Sequence, residues 1–591
     1  MYNHIMKRRA ISYNIACYLM LIMMILGLTT SFILGYNGMN SRYLGPFIFN
    51  SSAFLIQAAI LLVLVASAYV IADKMYMFAL IIVFTNFLTK YLMPYYLFDG
   101  YVNYDTPIHY LSALYFRDSG LHPEYHYHTW PSSLILAILY NSVSGLNFPL
   151  DYSIIALVSR FLIPLSIYFA AKRFLVSKKA IIIALLVLLI FEPIIIHPCP
   201  QITAVALTTL ALIFFAIWLH EREHRMSYPL VILGVSIATY HGVMPIGLTL
   251  SIIAVLVFYM LTAKLRLAKV YEPLNNKNPS IYFAILIFII ILTFYNTYIT
   301  IFVTKSLIKT IMLIIQGGQA RLDVYPLIIE NPHLKWQYDL LYGISRVATI
   351  ILLGIPSITV SLSLLIKFLR TKLANHEEAI LTMAIIAGFN AMLNILLSTI
   401  LNVGLVERLY QISLILAPLL TAYFYEEYLA KSPPYQKAIY MKKAALTFML
   451  ASTFLFVLLS IFTSPAYTSL YVNAFGKPDT TSAQWIATHL PSYQIRLDGG
   501  GRLNQLVALY SYPSHTYEVN LKITRTIEEN ALKGTYVYPS GTIITTRSPL
   551  TSGTSRVKGL SDVILNNYIN EMPVYINKVF SNYICEVFIP G

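Results

Sequence analysis

Eleven stretches of this chain are apolar enough and long enough to cross a bilayer, and that repetition constrains its fold more than any other feature. They fall at 11–34, 48–71, 75–97, 152–171, 180–197, 201–219, 280–303, 343–366, 378–402, 408–425 and 445–465. A hydrocarbon core is crossed by about 20 apolar residues in helical form. The stretch 228–262 exceeds one span and carries a turn signal at Tyr240-His241-Gly242, so it predicts two short helices. That makes thirteen spans, which would use about 260 residues at that length. Composition agrees: 58% of residues are hydrophobic and 11% charged, against about 25% charged in a typical soluble domain. A soluble enzyme and a disordered chain are both excluded. The three cysteines, Cys17, Cys199 and Cys585, form neither a disulfide framework nor a zinc-ligand pair.

The charge distribution predicts the orientation. Short connections 1–10, around Lys74, 172–179, around Arg222 and Arg225, 263–279, 366–374 and 429–443 carry 21 Lys and Arg. The alternate connections before residue 467 carry 7, namely Arg42, Arg117, Lys305, Lys309, Arg321, Lys335 and Arg408. Basic residues accumulate in cytoplasmic loops, so the first set is inside and the N-terminus is cytoplasmic. The net charge of +15 is thereby read as topology and not as nucleic-acid binding. The run Ile11–Leu34 follows Lys7, Arg8 and Arg9 and lacks a cleavage site, which predicts a retained helix. Lys90, Arg160 and Arg346 lie within spans.

Parity adds an expectation. Residue 98 emerges outside and Lys172 lies inside, and 152–171 alone makes that crossing. The apolar run 131–148 should therefore begin and end outside, as a re-entrant or interface-lying helix over Pro131–Gly145; the alternative is that it spans and the charge rule fails locally. Two outside loops are long, 98–151 and 304–342, the second opening with an amphipathic stretch at 305–315. Residues 1–466 form the polytopic part. Residues 467–591 change character, with turn signals, a β-rich run at 534–546 and a helical stretch near 482–490, and predict a small extracytoplasmic α/β domain.

The first outside loop holds the densest polar chemistry. It contains Tyr104-Asp105-Thr106-Pro107-Ile108-His109, Arg117-Asp118, and His122, Glu124, His126 and His128 ahead of Trp130-Pro131. Residues 106–118 predict a helix with Ile108, Leu111, Leu114 and Tyr115 on one face, lying on the membrane, with Asp105 as its N-cap and His109 four residues on. Asp105 is either a cap alone or also an ionised carboxylate placed to act as a general base on a hydroxyl. In an extended segment Glu124, His126 and His128 point one way and are candidate ligands of a divalent metal; clustering of such residues at membrane interfaces for amphipathic reasons is the alternative. Glu192, ahead of Pro193 and His197, lies at another outside end, and His241 at the next outside turn. Arg408 opens a span beside Glu407, and either snorkels to the interface or clamps a lipid-linked phosphate. Residues 497–502 are glycine-rich without a strand–GxGxxG–helix setting, so they read as a turn. No Walker A, HExxH, GxSxG or CxxC motif occurs, which leaves ATP-driven transport, zinc proteolysis and serine hydrolysis unsupported.

Taken together, an acid ahead of a juxtamembrane helix, the Trp130-Pro131 boundary, Ser144-Gly145-Leu146 and a span ending in Lys172-Arg173 resemble the GT-C superfamily of integral membrane glycosyltransferases, which includes protein O-mannosyltransferases and aminoarabinose transferases. The tail around Thr480-Thr-Ser-Ala-Gln-Trp485 and on to Asp498 is similar to the tails of archaeal members of this kind. The resemblance implies an inverting transfer of a sugar from a polyprenyl-phosphate donor to a glycan, lipid or protein on the outer face of the cell membrane. It implies Asp105 and Glu192 as catalytic acids and Arg408 as a phosphate ligand; Tyr104, His109, His241 and Lys335 are further candidate substrate contacts from their positions at the outside ends and loops. The chain departs from the superfamily pattern in having Thr106 where a second acid is common, two extra spans before the loop, and no WWDxG-like motif. A carrier or flippase for lipid-linked glycans is the non-enzymatic alternative.

Overall fold

The computed structural model describes residues 68–97, 106–120, 131–145, 150–191, 200–221, 227–264, 312, 328–329, 347, 350–371, 373–401, 407–430, 477–489, 506–507, 509–510, 543–546, 554–555, 576–581 and 585–590. Within them the chain is mainly helical. In chain order the helices are α1 (Tyr76–Leu97), α2 (Thr106–Ser119), α3 (Pro131–Ser144), α4 (Leu150–Phe174), α5 (Lys178–Phe191), α6 (Pro200–Glu221), α7 (Ser227–Tyr240), α8 (Val243–Lys264), α9 (Ile355–Arg370), α10 (Asn375–Leu401), α11 (Glu407–Phe424) and α12 (Lys477–His489). Wider π-helical turns precede α9 (Ile350–Gly354) and follow α11 (Tyr425–Ala430).

Among the described residues, five helical segments are long and apolar enough to cross a membrane: Ile154–Phe174, Gln201–His220, Met244–Thr262, Ile351–Arg370 and Asn375–Leu396. Their outward faces are apolar, as a lipid solvent allows. Along α9, Pro356, Val360, Leu364 and Phe368 face the core at intervals of four, while Ile355, Ile358, Leu362 and Ile366 are exposed. An exposed aliphatic stripe of that kind is unfavourable in water and neutral in hydrocarbon. The core is rich in small residues instead. Ala379, Ala384 and Ala387 of α10 and Ala417 and Ala422 of α11 are buried in one cluster, which lets backbones approach closely. Hydroxyls on buried faces bond within their own helix or to a neighbour: Ser413 donates to the Ala387 carbonyl at 2.7 Å, and Asn390 donates to Ser251 at 2.8 Å.

The expected break in 228–262 is present: α7 ends at Tyr240 and α8 starts at Val243. At 22 residues α8 is a full-length span instead of the short helix expected. Both α3 and α7 have 14 residues, about 21 Å at 1.5 Å per residue, against about 30 Å of hydrocarbon. Gly120 and Gly145 follow α2 and α3 with φ of 80° and 64°, a conformation that favours glycine, and their N–H groups close the last turns on the carbonyls of Phe116 and Asn141.

The ends of the bundle segregate. At one end, here the basic end, Lys179 pairs with Asp73 at 2.6 Å and Lys367 with Glu377 at 2.6 Å, while His220 meets Glu378 at 3.0 Å. The carboxylate of Glu426 accepts the backbone N–H groups of Val176 (3.0 and 3.2 Å) and Ser177 (2.9 Å), just before α5. Every one of these groups lies in or beside a connection that the basic-residue count places inside.

At the opposite end, the loop end, the three regions expected outside meet one another. Tyr110 of α2 and Ala137 of α3 share an apolar cluster with Ala483 and Ile486 of α12 and with Leu506, Val507 and Leu509. Strand β1 (Ile328–Ile329), from the second long loop, pairs antiparallel with β3 (Thr554–Ser555) of the tail. The tail also carries β2 (Ile543–Thr546), β4 (Ile576–Ser581) and β5 (Cys585–Pro590), an antiparallel sheet in the order β2-β5-β4. On α2, Leu111 and Leu114 of the face expected to lie on the membrane are partly buried against this tail cluster. The physical reason is that α12 supplies an apolar face of matching size to a helix that would otherwise have only the interface to cover it.

Candidate active site at the loop end

The site is assembled from segments that the bundle brings to the loop end. Helix α2 begins at Thr106-Pro107, immediately after Asp105; proline at the start of a helix costs no hydrogen bond. One turn on, His109 is 2% exposed. The last turn of α2 is closed by an exposed ion pair, Arg117 to Asp118 at 2.6 Å. Helix α3 is tied to the bundle through Ser132, whose hydroxyl donates to Thr239 at 2.7 Å. Thr239 precedes the α7–α8 turn by two residues, and His241 in that turn is 5% exposed.

A second linkage joins the starts of α6 and α11. The Gln201 amide donates to Gln411 at 3.3 Å. Gln411 lies one turn past Arg408, which sits in the first turn of α11. Helix α5, which leads into Glu192, packs against α11, as does α6, which leaves that segment. The connection bearing Glu192 thus starts and ends beside the helix bearing Arg408. Of the residues expected in the site, His109, His241 and Arg408 fall on described elements. Tyr104, Asp105, Glu124, His126, His128, Glu192 and Lys335 lie outside the described residues. Among the described residues no group of three or more His, Cys, Asp or Glu gathers as a metal site.

Below these groups lies a residue that the sequence marked only as a charge within a span. Arg160 of α4 is 2% exposed, and its guanidinium stands 4.8 Å from the centre of the Tyr91 ring on α1. Tyr91 is itself buried against Phe87 and Phe161. The neighbouring Ser159 hydroxyl bonds Thr203 of α6 at 2.8 Å. A charge inside a span is the one sequence signal that points to such a residue.

Comparison with known proteins gives the following. No family model matches the chain, and no curated protein matches it. Solved structures similar to it include ArnT from Cupriavidus metallidurans bound to undecaprenyl phosphate, at 11% identity and a TM-score of 0.43, covering 83% of this chain and 93% of that one, and ArnT from the same organism in the apo state, at 12% identity and a TM-score of 0.38, covering 82% and 92%.

Proposed function

We propose that the chain is a GT-C type membrane glycosyltransferase that moves a sugar from a polyprenyl-phosphate donor to a glycan, lipid or protein acceptor at the outer face of the cell membrane. The observation that supports it most is the meeting of the two long loops with the tail, through the α2–α3–α12 cluster and the β1–β3 pair. The donor's hydrocarbon tail stays in the bilayer, so transfer must occur where lipid, acceptor and polar side chains meet. The loop end has that composition and the basic end faces the cytoplasm.

In this reading Asp105, at the start of α2, takes the proton of the acceptor hydroxyl as its oxygen attacks the anomeric carbon. The bond from that carbon to the phosphate oxygen breaks on the opposite face, so configuration inverts and polyprenyl phosphate leaves. Arg408 offsets the charge that develops on the departing phosphate, where a guanidinium provides a bidentate match. Glu192 is the second acid, and Tyr104, His109, His241 and Lys335 hold donor and acceptor hydroxyls in line. Displacement of this kind depends mostly on positioning, and a rigid helix end suits it.

The test is reconstitution of the full chain in liposomes with a radiolabelled polyprenyl-phosphate sugar and a mixed acceptor fraction from membranes. Label should move to an acceptor at the face carrying the tail. Movement of the intact donor across the bilayer without transfer would replace this reading with the carrier.

A further inference from the structure

We infer that α12 is a brace for α2, and that its Ala483 and Ile486 are positioning residues for the transfer site, because they hold the helix that starts immediately after Asp105. The starting point is that the described residues form two apolar cores. The spans share one, and Tyr110, Ala137, Ala483, Ile486 and Val507 belong to a second that has no member in common with it. All five are fully buried. Among the described residues no side chain of α2 enters the core of the spans. Helix α2 packs on α3, and its Tyr110 sits in the second core, with Leu111 and Leu114 against it. Its pose is therefore set by α3 and by the tail, with Ile155 at the start of α4 packed on the same cluster.

The sequence of α12 suits this contact. Ser482, Ala483 and Ile486 recur at the spacing of one helix face and are buried, while Thr481, Gln484 and Thr488 on the other side are exposed. Alanine at 137 and 483 keeps the cluster tight around Tyr110, where larger side chains would hold the helices apart. Behind α12 lies β5, the central strand of the sheet β2-β5-β4. Contact thus runs from a strand hydrogen-bonded on both sides, through α12, to α2, which is how a supporting layer fixes a reacting group. The lever is long. Helix α2 has 14 residues, about 21 Å at 1.5 Å per residue, so a tilt of about 5° about its middle moves its start by roughly 1 Å. A misplacement of about 1 Å at a reacting centre costs on the order of 10²-fold in rate. That effect on rate rests on the reading of Asp105 as the base; the brace itself does not.

Two readouts on the full chain in proteoliposomes test this, and the first needs no transfer. In a background lacking Cys17, Cys199 and Cys585, spin labels are placed at Ser119→Cys and Ser142→Cys, exposed positions in the last turns of α2 and α3. The distance distribution between the labels should be narrow in this parent, broad in Ile486→Ala, and narrow again in Ile486→Leu, which keeps the volume. The second readout is the initial rate of transfer from a radiolabelled polyprenyl-phosphate sugar, per folded molecule counted by size exclusion. For Ile486→Ala kcat should fall by roughly 10- to 100-fold with KM for the donor unchanged, and Ile486→Leu should restore it. The thermal midpoint of the bundle should hold, since Ile486 lies outside the core of the spans. The inference is overturned if Ile486→Ala leaves the distribution as narrow as in the parent, or if the distribution broadens while kcat stays at the parental value. A parent that transfers no sugar overturns the glycosyltransferase reading and the positioning role with it, while the distances still decide whether α12 braces α2.

Discussion

Transfer should fall by roughly 10²- to 10⁴-fold when Asp105 is replaced by asparagine, with no measurable loss of folded protein, if the carboxylate takes the acceptor proton. Asparagine is the informative substitution because it caps a helix about as well as aspartate does. α2 begins at the residue after Asp105, so a variant that lost the cap as well would confuse two effects. Asp105→Ala should also abolish transfer, with a stability cost of about 1 kcal/mol from the missing cap. The initial rate of radiolabel transfer in proteoliposomes, set beside the thermal midpoint of each variant, separates the roles. Normal transfer by Asp105→Asn would reduce Asp105 to a cap and leave Glu192 as the acid to examine.

The largest effect on stability should come from Glu426→Ala. One buried carboxylate there accepts the N–H groups of both Val176 and Ser177, where α5 starts and lacks helical partners. The donors are not sealed from water, Val176 being 81% exposed, so the loss should be about 1–2 kcal/mol, from the lost charge-assisted hydrogen bonds. The helix N-terminus also loses a stabilising negative charge. Within the same helix Ser177 still caps Ala180 at 3.4 Å, which is too long to compensate. Glu426→Gln keeps one acceptor oxygen and should lose about half as much. Thermal unfolding in detergent measures both, and an Ala variant within ~0.5 kcal/mol of wild type, the ordinary range of a surface change, would show that the contact contributes nothing.

Much of this arrangement is legible in the amino acids because lipid demands simple patterns. Uniform apolar runs marked α4, α6, α8, α9 and α10 as helices, and Tyr240-His241-Gly242 marked the break between α7 and α8. The helix near 482–490 is found as α12, extended by five residues toward its start. The count of Lys and Arg grouped the connections into two sets, and contacts such as Asp73–Lys179 and Ile328–Ser555 join members of the same set. Long-range packing was not legible. Nothing local to Leu111 and Leu114 says that residues 483 to 509 will cover them. Glu426 looks like half of an ordinary acidic pair until its partners 250 positions away are known. Arg160 carried a signal, a charge among apolar neighbours, but its setting depends on Tyr91, which belongs to a different helix. His109, His241 and Arg408 were reached through residue type and loop position, whereas the bonds Ser132–Thr239 and Gln201–Gln411, which tie α3 to α7 and α6 to α11, are interhelical and not legible locally.

Sidedness underlies the whole account, and thiol labelling in intact cells tests it most directly. In a background lacking Cys17, Cys199 and Cys585, single cysteines would replace Asp105, Lys477 and Thr371 in turn and meet a membrane-impermeant maleimide. Positions 105 and 477 should react from outside, and position 371 only after the membrane is opened. Reaction of position 371 from outside, with 105 and 477 protected until permeabilisation, would turn the molecule over and remove the acids from the face where the acceptor is expected.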